Sequence, residues 1–277
     1  MYAIEETLKQ SVKTSEDNTR EKLEDLRNHV ISKMDSIVQQ QVAETKTIQE
    51  TTQVELMKLM PLIKLVPLRS CRQAPKNESD KYMIKPGINT QPFEVLCEQT
   101  KFGGGWTVIQ HRFDGSVDFR RKWTEYRNGF GKLDGEFWLG LEYVHQLTKN
   151  RPHELLVEIK DFHGNYGYAK YDEFEIGSET ESYALKKLGT YTGTAGDSML
   201  INWDEKFSTF DRDNNYWRCS NCAENQFGAW WGWHLSNSNL NGRYQNTTGD
   251  ASAMYWNHSK NDHGGLSYSR MMIRDIN

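Results

Sequence analysis

The sequence predicts an α+β protein, in which a long N-terminal helix precedes a domain built on an antiparallel sheet. Three uneven distributions support this division. All nine Trp lie at or after Trp106, all 21 Gly lie at or after Gly87, and Tyr2 is the only aromatic residue among the first 81. The leader therefore lacks large aromatic core formers and glycine for tight turns. We place the boundary between a helical stalk, residues 1–66, and a domain, residues 67–277.

The stalk carries apolar residues at steps of three and four. One stretch has five of them on one helical face: Leu23, Leu26, Val30, Met34 and Ile37. A helix of about 50 residues with one apolar stripe and no partner within the segment predicts a homo-oligomer formed through a coiled coil. Candidate core positions also hold Lys33, Gln40 and Glu44, so the heptad is poor. A loosely helical or disordered tail is the alternative.

The end of the helix is predicted from proline, which lacks the backbone N–H and clashes one turn back. Three prolines follow the stripe and are expected to end it: Pro61, Pro67 and Pro75.

Beyond residue 82, short β-rich runs alternate with clusters of Gly and Asn, which is typical of an antiparallel sheet with long loops. The predicted strands include 106–110, 154–159 and 271–274. Helical pattern is limited to 137–147 and 180–187. Long loops in a compact domain commonly carry binding or metal sites.

The charge balance argues against a nucleic-acid partner. The chain has 34 Lys and Arg against 38 Asp and Glu, and its densest basic run is residues 120–122. Binding to phosphates requires a concentrated basic face. A membrane span is not expected either, because the longest apolar stretch, 56–66, is broken by Lys58, Pro61 and Lys64.

Two signals about localisation conflict. The acidic N-terminus shows no secretory signal peptide. Three Asn-x-Ser/Thr sequons nevertheless predict glycosylation on the secretory route, at Asn77, Asn246 and Asn257.

Known catalytic motifs are missing from the sequence. The glycine run 103–105 is not followed by a phosphate-binding pattern. His153-Glu154 starts like a zinc-protease helix, but Val157 stands where the second histidine ligand is needed. No nucleophile-elbow motif occurs. We therefore expect a protein that is not an enzyme.

The four cysteines, Cys71, Cys97, Cys219 and Cys222, allow three pairings. Cys219-Ser-Asn-Cys222 is a C-x-x-C, which permits a redox dithiol, half of a zinc site or a structural disulfide. The polar loop before it is not the helix start that redox use requires, and no second ligand pair for zinc is present.

A cation site is predicted where oxygen-bearing side chains alternate, at Asp211, Asp213 and Asn215. Ca²⁺ prefers six to eight oxygen ligands, and closely spaced carboxylates with loop carbonyls can supply them. An EF-hand is excluded because Tyr216 and Cys222 stand where Gly and Glu are required. A solvated turn is the alternative.

Several motifs in order resemble the fibrinogen C-terminal-like domain over about residues 68–277. The first group comprises Cys71, the run 92–97, Phe102-Gly-Gly-Gly-Trp-Thr-Val-Ile-Gln110, Phe113-Asp-Gly-Ser-Val-Asp-Phe119 and Gly135-Glu-Phe-Trp-Leu-Gly140. The second group comprises Phe207-Ser-Thr-Phe-Asp-Arg-Asp213, Asn221-Cys-Ala223, Gly228-Ala-Trp-Trp231 and Ser238-Asn-Leu-Asn-Gly242. Ficolins, tachylectins, tenascins and angiopoietins share this domain, and the Asn-rich tail resembles the invertebrate fibrinogen-related proteins.

The resemblance implies a secreted, disulfide-bonded recognition domain with a Cys71–Cys97 bridge. It also implies Ca²⁺ in the loop around Asp211, with side-chain ligands from Asp213 and Asn215. Carbonyls near Trp217 and Cys219 would complete the site. Asn215 stands where the family usually has Asp, which removes one charge.

The sequence departs from the family after Cys222. Leu235 and Ser236 stand where relatives have a second cysteine and a histidine, so Cys219 is the only nearby partner for Cys222. This region builds the acetyl-sugar pocket of ficolin-like members, with a cis bond that would fall at His234–Leu235. The candidate ligand-binding residues are Trp233, His234, Leu235, Ser236, Tyr255 and Trp256. The alternative for the aromatic residues is a place in the core.

The leading functional hypothesis is a secreted, calcium-stabilised lectin that binds acetylated glycans or microbial surfaces in innate immunity. The alternative is an extracellular protein-binding ligand or matrix module of angiopoietin or tenascin type. A thiol-disulfide oxidoreductase acting through Cys219 and Cys222 is the third. Secretion is favoured because disulfides and sequons need the secretory route.

Overall fold

The computed structural model describes residues 2–214, 227–232, 236–257 and 264–276. It divides into two units, one up to Ile63 and one from Lys64 onward.

The first unit consists of most of helix α1 (Tyr2–Leu65), whose large apolar side chains are exposed to solvent from Ile4 to Leu59. The helix continues past Pro61, where we expected it to end. The fixed φ of proline is compatible with helical backbone, so the cost is a lost hydrogen bond and local crowding, about 3 kcal/mol. Pro67 disfavours helical backbone at the residue before it, which explains why α1 ends at Leu65.

None of the helices in the described residues is both long and apolar enough to cross a membrane.

The second unit is α+β, as predicted. Its strands and helices, in chain order, are β1 (Asp80–Ile84), β2 (Phe93–Glu98), β3 (Trp106–Arg112), α2 (Trp123–Asn128), β4 (Phe130–Gly131), β5 (Phe137–Trp138), α3 (Leu141–Thr148), β6 (His153–Asp161), β7 (Tyr166–Ile176), β8 (Leu185–Leu188), β9 (Tyr191–Gly193), β10 (Phe207–Ser208), β11 (Trp230–Trp231), β12 (Ser238–Asn239), β13 (Tyr255–Trp256) and β14 (Leu266–Asp275). Short 3₁₀-helices lie at Cys71–Gln73, Glu179–Glu181 and Leu200–Asn202.

The main sheet is antiparallel and runs in the order β1-β2-β3-β14-β6-β7-β8. The strand nearest the C-terminus, β14, lies in the middle, where Met271 pairs with Gln110 of β3 and Val157 of β6. The three predicted strands are confirmed as parts of β3, β6 and β14.

The two predicted helices of the domain are only partly correct. Helix α3 begins at Leu141 because the preceding Phe137 pairs with His111 as strand β5. The segment 180–187 is not a helix. Ser182 and Tyr183 have φ angles of 55° and 47°, which interrupt helical backbone, and β8 follows.

Tryptophan and phenylalanine rings form the centre of the core. Phe207 stacks on Trp138 with 5.9 Å between ring centroids and meets Trp231 edge-on at 5.1 Å. A disulfide joins Cys71 to Cys97, with 5.4 Å between their Cα atoms, as the resemblance implied. The bridge ties the segment that follows α1 to strand β2.

A buried ion cluster connects three strands of the sheet. Arg270 of β14 donates to Glu98 of β2 at 2.9 Å and, through Nε, to Glu158 of β6 at 2.7 Å. All three side chains are less than a tenth exposed. Burial alone would raise the pKa of Glu98, but hydrogen bonds from Thr100 and Lys101, together with Arg270, lower it to about 2.

We expect Glu98→Gln to flatten the acid dependence of stability. The pKa of Glu98 in the folded protein lies below its ordinary value of 4.5. The ionised carboxylate therefore contributes fully to the free energy of unfolding above pH 4.5, and this contribution is lost as the pH falls towards 2. The variant should lose about 2–3 kcal/mol at pH 7 and much less near pH 2. Urea unfolding between pH 2 and 7 measures this. Glu94→Gln, at an exposed position on the same strand, is the control, and an equal loss at both pH limits would contradict the assignment.

Candidate functional site

The predicted cation loop is described as far as Asn214. Oδ1 of Asp211 accepts hydrogen bonds from the backbone N–H of Trp123 at 2.9 Å and from the Thr209 hydroxyl at 2.7 Å. This carboxylate therefore fastens the loop to the start of α2. Asn214 holds the next turn, since its amide donates to the carbonyl of Phe207 at 2.8 Å.

Two of the predicted Ca²⁺ ligands, Asp211 and Asp213, lie in the described part of this loop. Asp213 follows in the same turn, whereas the predicted ligands Asn215, Trp217 and Cys219 lie outside the described residues. Cys222 lies outside them as well. No group of three His, Cys, Asp or Glu side chains suited to a metal occurs among the described residues.

The predicted sugar pocket is described only at Ser236, Tyr255 and Trp256; Trp233, His234 and Leu235, with the proposed cis bond, lie outside the described residues. Tyr255 is 1% exposed and donates to the carbonyl of Ser236 at 3.2 Å. Burial raises its pKa to about 12. The Ser236 hydroxyl accepts from Asn202 at 2.9 Å and donates to the carbonyl of Ser238. Tyr255 and Ser236 thus serve the packing of the domain.

Trp256 takes a different position, at the wall of a cavity of about 420 Å³. Its indole N–H donates to the carbonyl of Gly196 at 3.0 Å, which fixes the ring. The cavity is lined by the β6–β7 hairpin, Thr194, Ala195, residues 246–248, Asn257 and residues 264–266. It therefore brings together Trp256 and two predicted glycosylation sites, Asn246 and Asn257.

The hairpin at the cavity wall is held by Asp161. Its carboxylate accepts from the backbone N–H of His163 at 2.8 Å and of Asn165 at 2.9 Å, and from the Asn165 amide at 2.7 Å. On the opposite wall, the N–H of Gly265 donates to the carbonyl of Thr247 at 2.7 Å. These bonds give the cavity a polar lining that is fixed on both sides.

An apolar patch lies on the 3₁₀-helix Leu200–Asn202 and the residue after it. Leu200 is 64% exposed, Ile201 45% and Trp203 60%. We call these three side chains the apolar patch. Large contiguous apolar groups on a soluble surface mark sites of protein interaction.

The backbone below the apolar patch is held on two sides. Oδ1 of Asp197 accepts from the N–H of Leu200 at 3.1 Å and from the Tyr171 hydroxyl at 2.8 Å. Asn202 is fully buried and donates to the carbonyl of Trp231 at 2.7 Å. Because Asn202 points inward, its neighbours are presented to solvent in a fixed geometry.

The residues of the apolar patch were not among the candidate site residues predicted from the sequence. The sequence does contain a signal, since Leu200, Ile201 and Trp203 follow a run of mostly small and polar residues, 192–198. Nothing in the sequence alone distinguished this group from ordinary core residues.

Comparison with known proteins identifies the second unit. Residues 68–276 match the family described as the C-terminal globular domain of fibrinogen beta and gamma chains. The chain belongs to this family. The expected fibrinogen-like domain is therefore confirmed.

Relatives of the fibrinogen-like domain include both fibrinogen-like and angiopoietin proteins. Fibrinogen-like protein A of Apostichopus parvimensis is 41% identical over 213 residues, covering 75% of this chain and 73% of the relative. Human angiopoietin-1 is 42% identical over 217 residues, covering 76% of this chain but only 43% of angiopoietin-1.

Solved structures that resemble the chain include one from human and one from lamprey. The fibrinogen-like globe domain of human ANGPTL2 is 39% identical with a TM-score of 0.72, covering 76% of this chain and all of that one. The lamprey fibrin D-dimer, in complex with the peptide Gly-His-Arg-Pro-amide, is 27% identical with a TM-score of 0.67. This match covers 94% of the chain and 96% of the lamprey chain.

We expect glycans on Asn77 and Asn246 but not on Asn257. Asn77 and Asn246 are exposed, whereas Asn257 is only 7% exposed in the folded domain, where a bulky glycan would have no room. Intact mass before and after glycosidase, for the secreted protein and for each Asn→Gln variant, measures this. A mass loss in Asn257→Gln equal to one glycan would contradict the expectation.

Proposed function

We propose that the protein is a secreted, non-enzymatic ligand whose fibrinogen-like domain binds an extracellular protein. This was the alternative to the lectin hypothesis, and the similarity to angiopoietin-1 and to the ANGPTL2 globe domain favours it. The lamprey relative was solved with a peptide ligand, which shows that a protein of this fold can bind a polypeptide segment.

The apolar patch is the observation that carries the proposal. Leu200, Ile201 and Trp203 expose aliphatic and indole surface on a backbone that Asp197 and Asn202 hold in place. Tryptophan is enriched in interface hot spots, and a backbone that is already fixed lowers the conformational entropy lost when Trp203 is bound. A sugar would gain little from the aliphatic members, so a protein partner fits the apolar patch better.

Secretion is supported by the disulfide and the exposed sequons. The Cys71–Cys97 bridge requires an oxidising compartment, and Asn77 and Asn246 are accessible for glycosylation.

Recognition of acetylated glycans or microbial surfaces is the second candidate function. It is favoured by the cavity beside Trp256, whose lining of Asn, Thr and Asp side chains suits a hydroxyl-rich ligand. The predicted pocket contributes less, because Tyr255 and Ser236 are occupied in the fold.

A structural Ca²⁺ ion in the loop after β10 is part of the proposal. Asp213 and Asn215 would supply side-chain oxygens, and carbonyls near Trp217 and Cys219 the remainder. Asp211 would act by positioning the loop, since Trp123 and Thr209 already donate to its Oδ1.

Assembly of several chains through α1 would raise the strength of binding. Linking binding sites multiplies weak affinities by about 10² to 10⁴ without any new contact. We therefore propose a homo-oligomer that presents several fibrinogen-like domains.

We expect Leu200→Ser with Trp203→Ala to weaken binding to a protein partner by at least about 30-fold, because truncating an interface anchor costs 2 kcal/mol or more. The measurement uses labelled full chain on an array of extracellular receptor domains and on a glycan array in parallel. Ile88→Ser is the control, since Ile88 is 91% exposed on the β1–β2 connection at the opposite edge of the sheet. Binding to N-acetylated glycans alone, unaffected by the double variant, would support the lectin function instead.

We expect Ca²⁺ to raise the Tm of the domain by several degrees, because an ion that binds only the folded state stabilises it. Asp213→Asn should abolish this rise with little change in EDTA. Asp211→Ala should lower the Tm with and without Ca²⁺, since it removes the oxygen that accepts from Trp123 and Thr209 and anchors the loop to α2. Differential scanning calorimetry measures both, and a wild-type Tm that is unaffected by Ca²⁺ would refute the site.

A further inference from the structure

We propose that α1 assembles with parallel, in-register copies of itself through an 11-residue repeat. This proposal rests on the homo-oligomer proposed above and specifies its seam. The seam comprises the sixteen positions reached from residue 4 by steps of four, four and three: Ile4, Leu8, Val12, Ser15, Thr19, Leu23, Leu26, Val30, Met34, Ile37, Gln41, Thr45, Ile48, Thr52, Leu56 and Leu59.

The seam contains no charged residue over five full repeats. Eleven of its sixteen residues are apolar, and the others are Ser, Thr or Gln. The sixteen positions that lie one residue before those of the seam hold six charged residues, and the sixteen that lie one residue after hold nine. A heptad continued from Leu23 instead places Lys33, Glu44 and Lys58 in the core. The 11-residue repeat therefore explains why the heptad is poor.

The apolar side chains of the seam have no partner within the described residues. They remain exposed along the whole helix, for example by 72% at Ile4, 60% at Met34 and 67% at Ile48. A stripe of this length and regularity requires a partner of equal length and matching repeat. A second copy of α1 meets both requirements by construction.

The three threonines of the seam can be buried at small cost. The hydroxyls of Thr19, Thr45 and Thr52 each donate to the carbonyl four residues earlier, at 2.7–2.8 Å. Their hydrogen bonding is satisfied inside their own helix, so contact with another helix leaves no unpaired donor.

The positions of the polar residues favour parallel, in-register chains. In that arrangement Gln41 meets Gln41 and Thr52 meets Thr52, while apolar layers meet apolar layers. An antiparallel copy overlapping along the full length would place Gln41 opposite Leu23 and Thr52 opposite Val12. Matching polar layers is how coiled coils fix register.

The repeat also sets the handedness of the assembly. Eleven residues in three turns correspond to 3.67 residues per turn, slightly above the 3.6 of a straight helix. On a straight helix the seam therefore moves around the helix axis by about 20° per repeat, in the direction opposite to that of a heptad stripe. Helices that keep their seams in contact compensate by winding around each other in a shallow right-handed supercoil.

The test compares charges at neighbouring positions of the full chain. In sedimentation equilibrium we expect the wild type to be an oligomer and Ile48→Glu to raise its dissociation constant by at least about tenfold. Thr47→Glu, one residue off the seam but in the core of the heptad alternative, should leave the oligomer intact. Circular dichroism and tryptophan fluorescence check that helix and domain stay folded, since every Trp lies in the domain.

Direction is tested by cross-linking. Ile48→Cys should form a covalent dimer on mild oxidation, and Glu50→Cys, on the far side of the helix, should not. In an antiparallel pair the two introduced cysteines would lie about 50 Å apart and could not react.

If Thr47→Glu dissociates the oligomer and Ile48→Glu does not, the 11-residue seam is wrong but the homo-oligomer is retained. A monomeric wild type would overturn both and leave the protein-binding function of the domain to its own test.

Discussion

The buried contact of Arg270 with Glu98 and Glu158 is the constraint on which the sheet depends. It joins residues separated by 172 and 112 positions in the chain. Removing three charges from water is costly, and losing one partner leaves the others uncompensated in the interior. The cluster is complete only when β14 lies between β3 and β6. The central sheet therefore cannot reach its final form until the end of the chain is in place.

The candidate binding surfaces depend on this sheet at its margins. The first residue of β14, Leu266, pairs with the last residue of β6, Asp161, and both line the cavity beside Trp256. The register of the two strands shifts between Leu266 and Tyr268, so the cavity lies just beyond the regular part of the β14–β6 ladder that contains Arg270. The apolar patch lies near the other edge, where Trp203 donates to the carbonyl of Lys186 in β8. Loops held by a fixed sheet can keep side chains exposed without letting them collapse onto the core.

Local patterns allowed most of the fold to be predicted from the sequence. The strand segments in β3, β6 and β14 and the long helix were recognised from periodicity, and the family from its ordered motifs. Long-range effects were not accessible in this way. The sequence pattern of residues 180–187 predicts a helix, but the turn that leads into β8 places Ser182 and Tyr183 at positive φ angles. Likewise, Tyr255 was a candidate for a pocket wall, and only the tertiary structure shows that it points into the core. The apolar patch was missed because its exposure depends on the buried bonds of Asn202.

The small size of the apolar patch limits the binding free energy that a single copy of the domain could supply. Burying three fully exposed apolar side chains gains about 1.5–3 kcal/mol each, or roughly 4.5–9 kcal/mol in total. This total is an upper limit for Leu200, Ile201 and Trp203, which are 64%, 45% and 60% exposed. Association of two proteins costs about 4–15 kcal/mol in lost translational and rotational freedom. One apolar patch would therefore bind a partner weakly unless surrounding polar contacts added to it. In the proposed oligomer, several patches held together by the seam of α1 would share the cost of the first encounter, since each later contact would be intramolecular. The two proposals therefore fit each other: a contact surface as small as the apolar patch needs several copies, and an oligomer formed through the uncharged seam would supply them.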